Sequence, residues 1–213
     1  MATTGPKAKK PGAAEETPVR ARILGAAFSA FTESGYAQTS TLEIATRAHV
    51  SKRALYSLVR NKQELLVACI SERAQRLKAP ADLPQPRDKV ELTSVLVSFG
   101  TRILSEVTDP RVIAMFRLAI AEAVSAPEVA KALDSIAIEA SRAALRDILA
   151  QAQASGLLNG QPAEMAERFT SLLWGNLMMG LLLQIAERPK AGEISRRARD
   201  AAAAFLTLYS RSD

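Results

Sequence analysis

The sequence is poor in the residues on which much enzyme chemistry depends. Among its 213 residues there is one cysteine, Cys69, and one histidine, His49. A disulfide within the chain and a Cys/His zinc cluster are therefore excluded, and a Ser-His-Asp or Cys-His catalytic group would have to use His49. With no metal-ligand spacing and no Gly-rich phosphate loop, the sequence predicts a protein that is not an enzyme and needs no cofactor.

Aromatic residues are also scarce, at 5% of the chain, whereas hydrophobic residues make up 48% and charged residues 23%. This is a globular composition, and its abundance of Ala and Leu favours helices. Residues 1–16 have no periodic apolar positions and are expected to form a disordered basic tail. No apolar stretch of signal-peptide length follows this tail, so we expect a cytoplasmic protein.

Positive charge is concentrated at one end of the chain. Residues 1–80 contain 13 Lys and Arg against 6 Asp and Glu, whereas residues 81–213 contain 15 against 16. The segment from Arg47 to Lys62 has five basic residues and no acidic one. A basic tail on a neutral enzyme would not place this run inside a patterned segment, so the charge indicates a part of the chain that faces a polyanion.

Apolar spacing and capping signals predict an all-α protein of nine helices in two domains. Three prolines in the segment 79–86 exclude a helix there and indicate a hinge between a domain at 17–79 and a larger domain at 80–213. Thr17 and Pro18 are expected to start the first helix, and Ser40 and Glu43 to form a capping box. The predicted helices cover about 18–34, 41–48, 52–59, 62–78, 88–106, 110–123, 127–155, 162–188 and 193–210.

Residues 169–186 form an uncharged run of 18 residues, which is the lower limit for a membrane-spanning helix. Thr170, Ser171, Asn176 and Gln184 interrupt the run, and no second span accompanies it. A helix that is apolar on all sides in a water-soluble chain is one buried on several sides. We therefore interpret this segment as a helix covered by its own subunit and by a second copy, with no membrane as partner.

The segment 41–59 has the pattern of a helix-turn-helix, with two short helices joined by His49, Val50 and Ser51. Lys52, Tyr56, Arg53 and Ser57 fall on one face of the second helix, and its aliphatic residues fall on the other. Such a helix suits insertion into a DNA major groove. The pattern also fits a solvated amphipathic surface helix, so the spacing alone leaves both interpretations open.

Residues 20–66 resemble the DNA-binding domain of the tetracycline-repressor (TetR) family of bacterial regulators. The sequence differs from the common family pattern at Ser57-Leu58-Val59, where an aromatic-His-Phe stretch is usual. The matching elements are Arg22-Ile23-Leu24-x-Ala26-Ala27, Phe31-x-Glu33-x-Gly35-Tyr36-x-x-Thr39-Ser40, Ile44-Ala45-x-x-Ala48-x-Val50-Ser51, Leu55-Tyr56 and Asn61-Lys62-x-x-Leu65.

The resemblance implies a DNA-binding surface around the two short helices. Ser40, Thr41, Tyr56 and Lys62 would contact phosphates, which suits hydroxyl groups and a lysine beside helix starts. Arg47, in the same basic run, is assigned to this surface as well, and His49 is expected to be structural or solvated. The residues expected to face base edges are Lys52, Arg53, Ala54 and Ser57, of which Lys52 or Arg53 would bind a guanine.

For the larger domain, the resemblance implies a homodimer through the last two helices and a pocket for a small effector. Gly175 and Gly180 would permit close approach of helices at that interface. Arg117, Glu122 and Asn176 are the polar groups expected to orient the effector, which the apolar lining predicts to be hydrophobic or aromatic. The predicted lining residues are Phe99, Ile103, Met115, Phe116, Ile120, Glu122, Trp174, Leu177 and Met178.

The sequence therefore predicts a repressor that binds a palindromic operator as a dimer and leaves it when a small ligand binds. Helix 110–123 is expected to transmit occupancy of the pocket to helix 62–78. Three alternatives stay open: a dimeric DNA-binding protein without an effector, an enzyme with an added basic domain, and a regulator attached to a membrane through 169–186. Met and aromatic side chains at helical spacing also fit a plain hydrophobic core without a pocket. Such a core would favour the dimeric DNA-binding protein without an effector.

Overall fold

The structure, a computed structural model, describes residues 13–74 and 86–210, and of residues 13–17 it describes the backbone alone. Every named element in these ranges is helical, and the pairing of Leu158 with Ser210 is an isolated bridge. The chain divides into two compact units, residues 1–69 and 70–213, ahead of the boundary expected at residue 79. Residues 1–12 of the predicted tail, and all but Pro86 of the predicted hinge, lie outside the described residues.

The first unit is built from three helices and the start of a fourth: α1 (Ala13–Ser34), α2 (Thr41–Arg47), α3 (Lys52–Leu58) and α4 (Lys62–Ala74). The predicted start of α1 at Thr17 is wrong, because the helix begins at Ala13. Pro18 therefore lies inside the helix, where it has no backbone N–H to donate to the preceding turn. The apolar faces of these helices meet in a core that includes Ile23, Phe31, Ile44, Leu55 and Leu65.

The starts of the short helices follow from their caps. The Ser40 and Ser51 side chains each accept a hydrogen bond at 3.1 Å, from the backbone N–H of Glu43 and of Ala54 respectively. Only the serine half of the predicted capping box forms, because the Glu43 carboxylate pairs with Arg47 at 2.8 Å. Both helices therefore begin at the predicted residue.

In the second unit, each remaining predicted helix is observed as one continuous helical stretch, with one exception. A π-helical turn, Leu133–Ile138, joins α7 to α8, so the stretch predicted at 127–155 is continuous. The helices are α5 (Lys89–Val107), α6 (Pro110–Ala121), α7 (Pro127–Ala132), α8 (Glu139–Ala154), α9 (Pro162–Trp174), α10 (Leu177–Leu182) and α11 (Ala191–Tyr209).

The exception is the helix predicted at 162–188, which is broken into α9 and α10. Gly175 ends α9 with a φ of 44°, a left-handed conformation that glycine adopts without strain. Gly175 thus ends a helix, whereas the sequence predicted it inside one. The structure thus has ten helical stretches in its described ranges where nine were predicted, and none of them is long and apolar enough to cross a membrane.

Two arginines bind carbonyl groups at the ends of these two helices. Arg197 Nη1 donates to the carbonyl oxygens of Leu173 and Trp174 at 3.4 and 3.3 Å, at the end of α9. Arg117 donates to Leu181 and Leu182, at the end of α10. The last carbonyls of a helix have no partner within it and carry partial negative charge, so a guanidinium there stabilises the end.

The core of the second unit lies where α5 crosses α9 and α11. A Cβ on Gly100 would lie 2.9 Å from Leu173 Cδ2 and 3.4 Å from Ala198 Cβ, so a side chain at this position would crowd the crossing. The buried rings of Phe169 and Phe205 meet edge to face at a centroid distance of 5.4 Å. This crossing holds α5, on which two predicted effector residues, Phe99 and Ile103, lie.

Candidate DNA-binding surface and effector region

The α2–α3 pair has the geometry of a helix-turn-helix. His49 lies in the turn with a φ of 52°, and the N–H of Val50 donates to the carbonyl of Ala45 at 3.0 Å. His49 is exposed, as the sequence indicated for a structural or solvated residue. The turn ends at Ser51, which is the N-cap of α3.

The two faces of α3 divide as the helical period predicts. Leu55 is fully buried against the core. Ala54 is half-buried, and Lys52, Arg53, Tyr56 and Ser57 are exposed. The Lys52 ammonium lies 5.9 Å from the centroid of the Tyr56 ring. The exposed face is therefore basic and aromatic, and through Tyr56 it reaches the start of α2.

Two arginines near α3 have side chains with no partner in the described part of the chain. Arg53, in the first turn of α3, forms neither a hydrogen bond nor an ion pair, and the same holds for the guanidinium of Arg60 just after the helix. Arg60 was not among the predicted site residues, although it belongs to the basic run. Both guanidinium groups keep all their donors for an external acceptor.

Hydroxyl groups connect the start of α2 with the second turn of α3. Thr41 Oγ1 and Tyr56 Oη are 3.0 Å apart. A hydrogen bond between two hydroxyls uses one proton, so one of the pair keeps a proton to donate elsewhere. Ser57 Oγ donates to the carbonyl of Ala54 at 2.8 Å, which leaves this side chain as an acceptor only. The Ser40 Oγ accepts from Glu43 and keeps its own proton.

Arg47 and Lys62 are held by groups of the protein itself. Arg47 lies 2.6 Å from a Glu33 oxygen and 2.8 Å from a Glu43 oxygen, and the hydrogen bond that it donates to Glu33 raises the pKa of its guanidinium above the ordinary value. Lys62 Nζ donates to the carbonyl oxygens of Tyr36 and Ala37 at 2.8 and 3.2 Å. The structure therefore gives internal partners to both side chains, which the sequence assigns to the DNA-binding surface.

The predicted effector residues of the second unit fall into three groups by burial. Phe99, Ile103 and Met115 are buried in the core. Phe116, Trp174, Leu177 and Met178 are partly buried and pack against it. Ile120 was expected to line the same pocket, but its side chain is 62% exposed, because it lies on the outer face of α6.

The polar groups expected to orient an effector are differently placed. Glu122, at the end of α6, is buried and accepts a hydrogen bond from Ser125 Oγ at 2.6 Å. Arg117 was expected to face the effector and instead binds the end of α10. Asn176 is exposed in the break after Gly175. Of the three, Glu122 alone lies buried among the helices of this unit.

At its other end, α6 is connected to the last turn of α4. The Asp109 side chain caps α6 by accepting from the N–H of Arg111 at 2.9 Å, and the same Oδ1 lies 3.6 Å from Arg73 Nη1. Both residues of this ion pair belong to the second unit. In the described ranges, no group of three or more His, Cys, Asp and Glu residues could hold a metal ion.

Comparison with known proteins gives two family matches that follow the two units. Residues 23–69 match the model described as bacterial regulatory proteins, tetR family. Residues 94–211 match the model described as AefR-like transcriptional repressor, C-terminal domain. Together these segments cover most of the chain, and the second alone covers more than half of it.

Individual relatives agree with these matches. The HTH-type transcriptional regulator YvkB of Bacillus subtilis (strain 168) is 28% identical over 167 residues, which is 74% of this chain and 80% of the relative. A TetR transcriptional regulator from Agrobacterium tumefaciens has 25% identity and a TM-score of 0.75, over 91% of this chain and 95% of the other. The flavonoid-responsive regulator FrrA has 26% identity and a TM-score of 0.74, over 92% and 100%.

Proposed function

Because this chain belongs to the TetR family of bacterial transcriptional regulators and is not an enzyme, we propose that it is a repressor released from a palindromic operator by a small aromatic effector. Two copies of α3 occupy successive major grooves, one from each subunit of a homodimer. The observation that carries this proposal is the exposed basic face of α3, with Arg53 unpaired among the described residues.

Base readout falls to the N-terminal part of α3. Arg53 presents a free guanidinium, which binds the O6 and N7 atoms of guanine through two parallel hydrogen bonds. Lys52 supplies a second cation on the same face, and Ala54 is small enough to approach a thymine methyl group. Ser57, whose proton is used within the helix, can only accept, so it suits a base amino group better than a phosphate.

Phosphate contacts fall to groups around this face. Ser40 and the hydroxyl pair of Thr41 and Tyr56 have protons to donate to phosphate oxygens, and Arg60 adds a free guanidinium. Arg47 is left out of this set, because two carboxylates already satisfy it. Lys62 stabilises the first unit, and its remaining N–H and its charge are available to a DNA phosphate.

The dimer forms through the end of α10 and through α11. Met179, Leu183, Ile185 and Leu208 are large apolar side chains with 59% to 79% of their surface exposed. A second copy of the chain would cover such side chains, and a two-fold interface would match a palindromic operator. In this arrangement the uncharged run of residues 169–186 contributes to the dimer interface and does not form one long helix.

The effector binds in the second unit among Phe99, Phe116, Trp174 and Met178, and an aromatic molecule suits these side chains. The similarity to FrrA, which is described as flavonoid-responsive, supports an aromatic effector. The signal leaves through α6, whose cap Asp109 is paired with Arg73 of α4. A ligand acts here only to the extent that it prefers one arrangement of these helices.

The experiment compares Arg53→Met with Arg47→Met on DNA duplexes enriched from a random library by the wild-type protein. Fluorescence anisotropy over a range of salt concentrations gives affinity and salt slope. We expect Arg53→Met to reduce the preference for enriched over scrambled duplex by about 1 to 3 kcal/mol. Arg47→Met, a matched loss of one cation, should leave this preference unchanged. Equal losses in both variants, or none, would contradict the groove assignment.

A dimeric DNA-binding protein without an effector is the second candidate function. The burial of Phe99, Ile103 and Met115 in the core favours it, because a filled core leaves these side chains no ligand to contact. A screen of aromatic compounds for release of the enriched duplex separates the two candidates. Release by a compound supports the first, and DNA binding that no compound changes supports the second.

A further inference from the structure

Arg102, on α5 of the second unit, lacks the hydrogen-bond acceptors that Arg117 and Arg197 have. Its Nε is buried and has no hydrogen-bond partner among the described residues. Its guanidinium carbon lies 5.6 Å from the centroid of the buried Phe99 ring, one turn earlier on the helix. Arg117 and Arg197, in contrast, each donate to two carbonyl groups.

Burial of this side chain is not compensated by a counter-charge in contact. Desolvation lowers the pKa of the Arg102 guanidinium, against the smaller opposite effect of Glu106 on the next turn. No ion pair joins Arg102 to an acidic residue among the described residues, so Glu106 acts from a distance. A buried donor without a partner carries a desolvation cost that an added acceptor would remove, most of all an anionic one.

We propose that Arg102 anchors an acidic oxygen of the effector, whose aromatic body packs beside Phe99. The acidic group is a carboxylate or an ionised phenol on an aromatic ring, since both offer an anionic oxygen in the plane of the ring. This inference rests on the proposed function and adds the chemical class of the ligand and the residue that selects it.

The side chain is suited to this role because it is partly buried rather than enclosed. The residue as a whole keeps intermediate exposure, so its Nη groups remain within reach of a ligand while the Nε edge is dry. Phe99 holds the guanidinium plane from one side. A charge-assisted pair formed in such surroundings is stronger than one formed in water, so the site should discriminate between an acid and its neutral amide.

The test uses aromatic acids and matched amides as probes. Benzoate, 2-naphthoate and anthracene-2-carboxylate are each compared with the corresponding carboxamide, and 4-nitrophenol above its pKa is the phenolate arm. Isothermal titration calorimetry gives affinities for the full-length protein. We expect at least one acid to bind wild type about 10- to 100-fold more tightly than its amide. The carboxylate and phenolate arms show which acidic group the site takes.

Variants connect this preference to Arg102. Arg102→Met should abolish the preference of acid over amide and should not lower the thermal midpoint of the ligand-free protein, since it removes an unpaired buried cation. Arg102→Lys, which keeps the charge without the planar fork, should retain part of the preference. Arg87→Met, the same change at an exposed arginine before α5, is the matched control and should bind the acids as wild type does.

Each outcome decides the proposal. Acids that bind Arg102→Met as tightly as wild type, or that bind wild type no better than their amides, would overturn it. Failure of every acid to bind wild-type protein that still binds its enriched duplex would also overturn it, and would leave the DNA-binding proposal intact. If Arg102→Met does not fold, Arg102→Lys and Arg102→Gln carry the same comparison. Loss of DNA binding by wild type would instead remove the proposed function.

Discussion

Lys62 Nζ donates a hydrogen bond of 2.8 Å to the carbonyl oxygen of Tyr36 and lies 4.5 Å from the centroid of the same residue's ring. The Ala37 carbonyl accepts from the same ammonium at 3.2 Å. The first residue of α4 is thereby attached to the turn that follows α1. The lysine that the sequence assigns to DNA phosphate therefore also holds two segments of the first unit together.

Replacement of Lys62 by methionine should destabilise the first unit by about 1 to 3 kcal/mol, because two carbonyl groups lose a charged donor. Hydrogen exchange of the amides in α2, α3 and the start of α4 measures this free energy of opening. Arg60→Met, which removes an exposed cation without a partner, should change it by less than about 0.5 kcal/mol. Equal protection in wild type and Lys62→Met would contradict this stabilising role.

The turn of the helix-turn-helix contains a non-glycine residue in a left-handed conformation, since His49 has a φ of 52°. Glycine adopts this conformation without the cost of about 1 to 2 kcal/mol that a Cβ brings, but it loses more entropy on folding. We expect His49→Gly to stabilise the first unit by about 0.5 kcal/mol. Thermal unfolding and hydrogen exchange of α2 and α3 test this, and a destabilised variant would mean that the imidazole makes a necessary contact.

Gly175 provides the opposite case in the second unit. Its φ of 44° with a ψ of −130° is a conformation that side chains resist, so Gly175→Ala should cost about 1 to 3 kcal/mol. An added Cβ would meet Arg197 Nη1 at 3.5 Å, an ordinary contact, so the cost is one of backbone strain. Gly25→Ala is the matched control. It lies exposed in α1 with nothing within 4 Å of its Cβ position, and should stabilise by about 0.5 to 1 kcal/mol.

The crossing of α5 with α9 and α11 depends on the absence of a side chain at Gly100. Gly100→Ala should be nearly neutral, because its gain in helix propensity offsets a contact with the movable end of Leu173. Gly100→Val should cost about 1 to 3 kcal/mol, since a branched side chain would also meet Ala198 and Phe169. Unfolding followed through Trp174 fluorescence measures both. A valine variant as stable as the alanine variant would show that the helices can move apart.

Much of the fold follows from local signals. The starts of α2, α3 and α6 follow from Ser40, Ser51 and Asp109, because a cap acts within three residues of its own position. The division of α3 into a buried and an exposed face follows from the helical period alone. The helical class, the two units and the helix-turn-helix were therefore predictable from the sequence.

Contacts between residues distant in sequence decided the rest. Arg47 meets Glu33 14 residues away, Lys62 reaches Tyr36 across 26 residues, and Arg117 reaches Leu182 across 65. A cation looks the same in a sequence whether it is free or paired, because pairing depends on packing that brings distant acceptors close. The position of the basic surface and the helical class of its domain follow from the sequence alone. Tertiary packing fixes which cations are already bound, breaks the helix predicted at 162–188 at Gly175, and buries the Nε of Arg102 without a partner among the described residues.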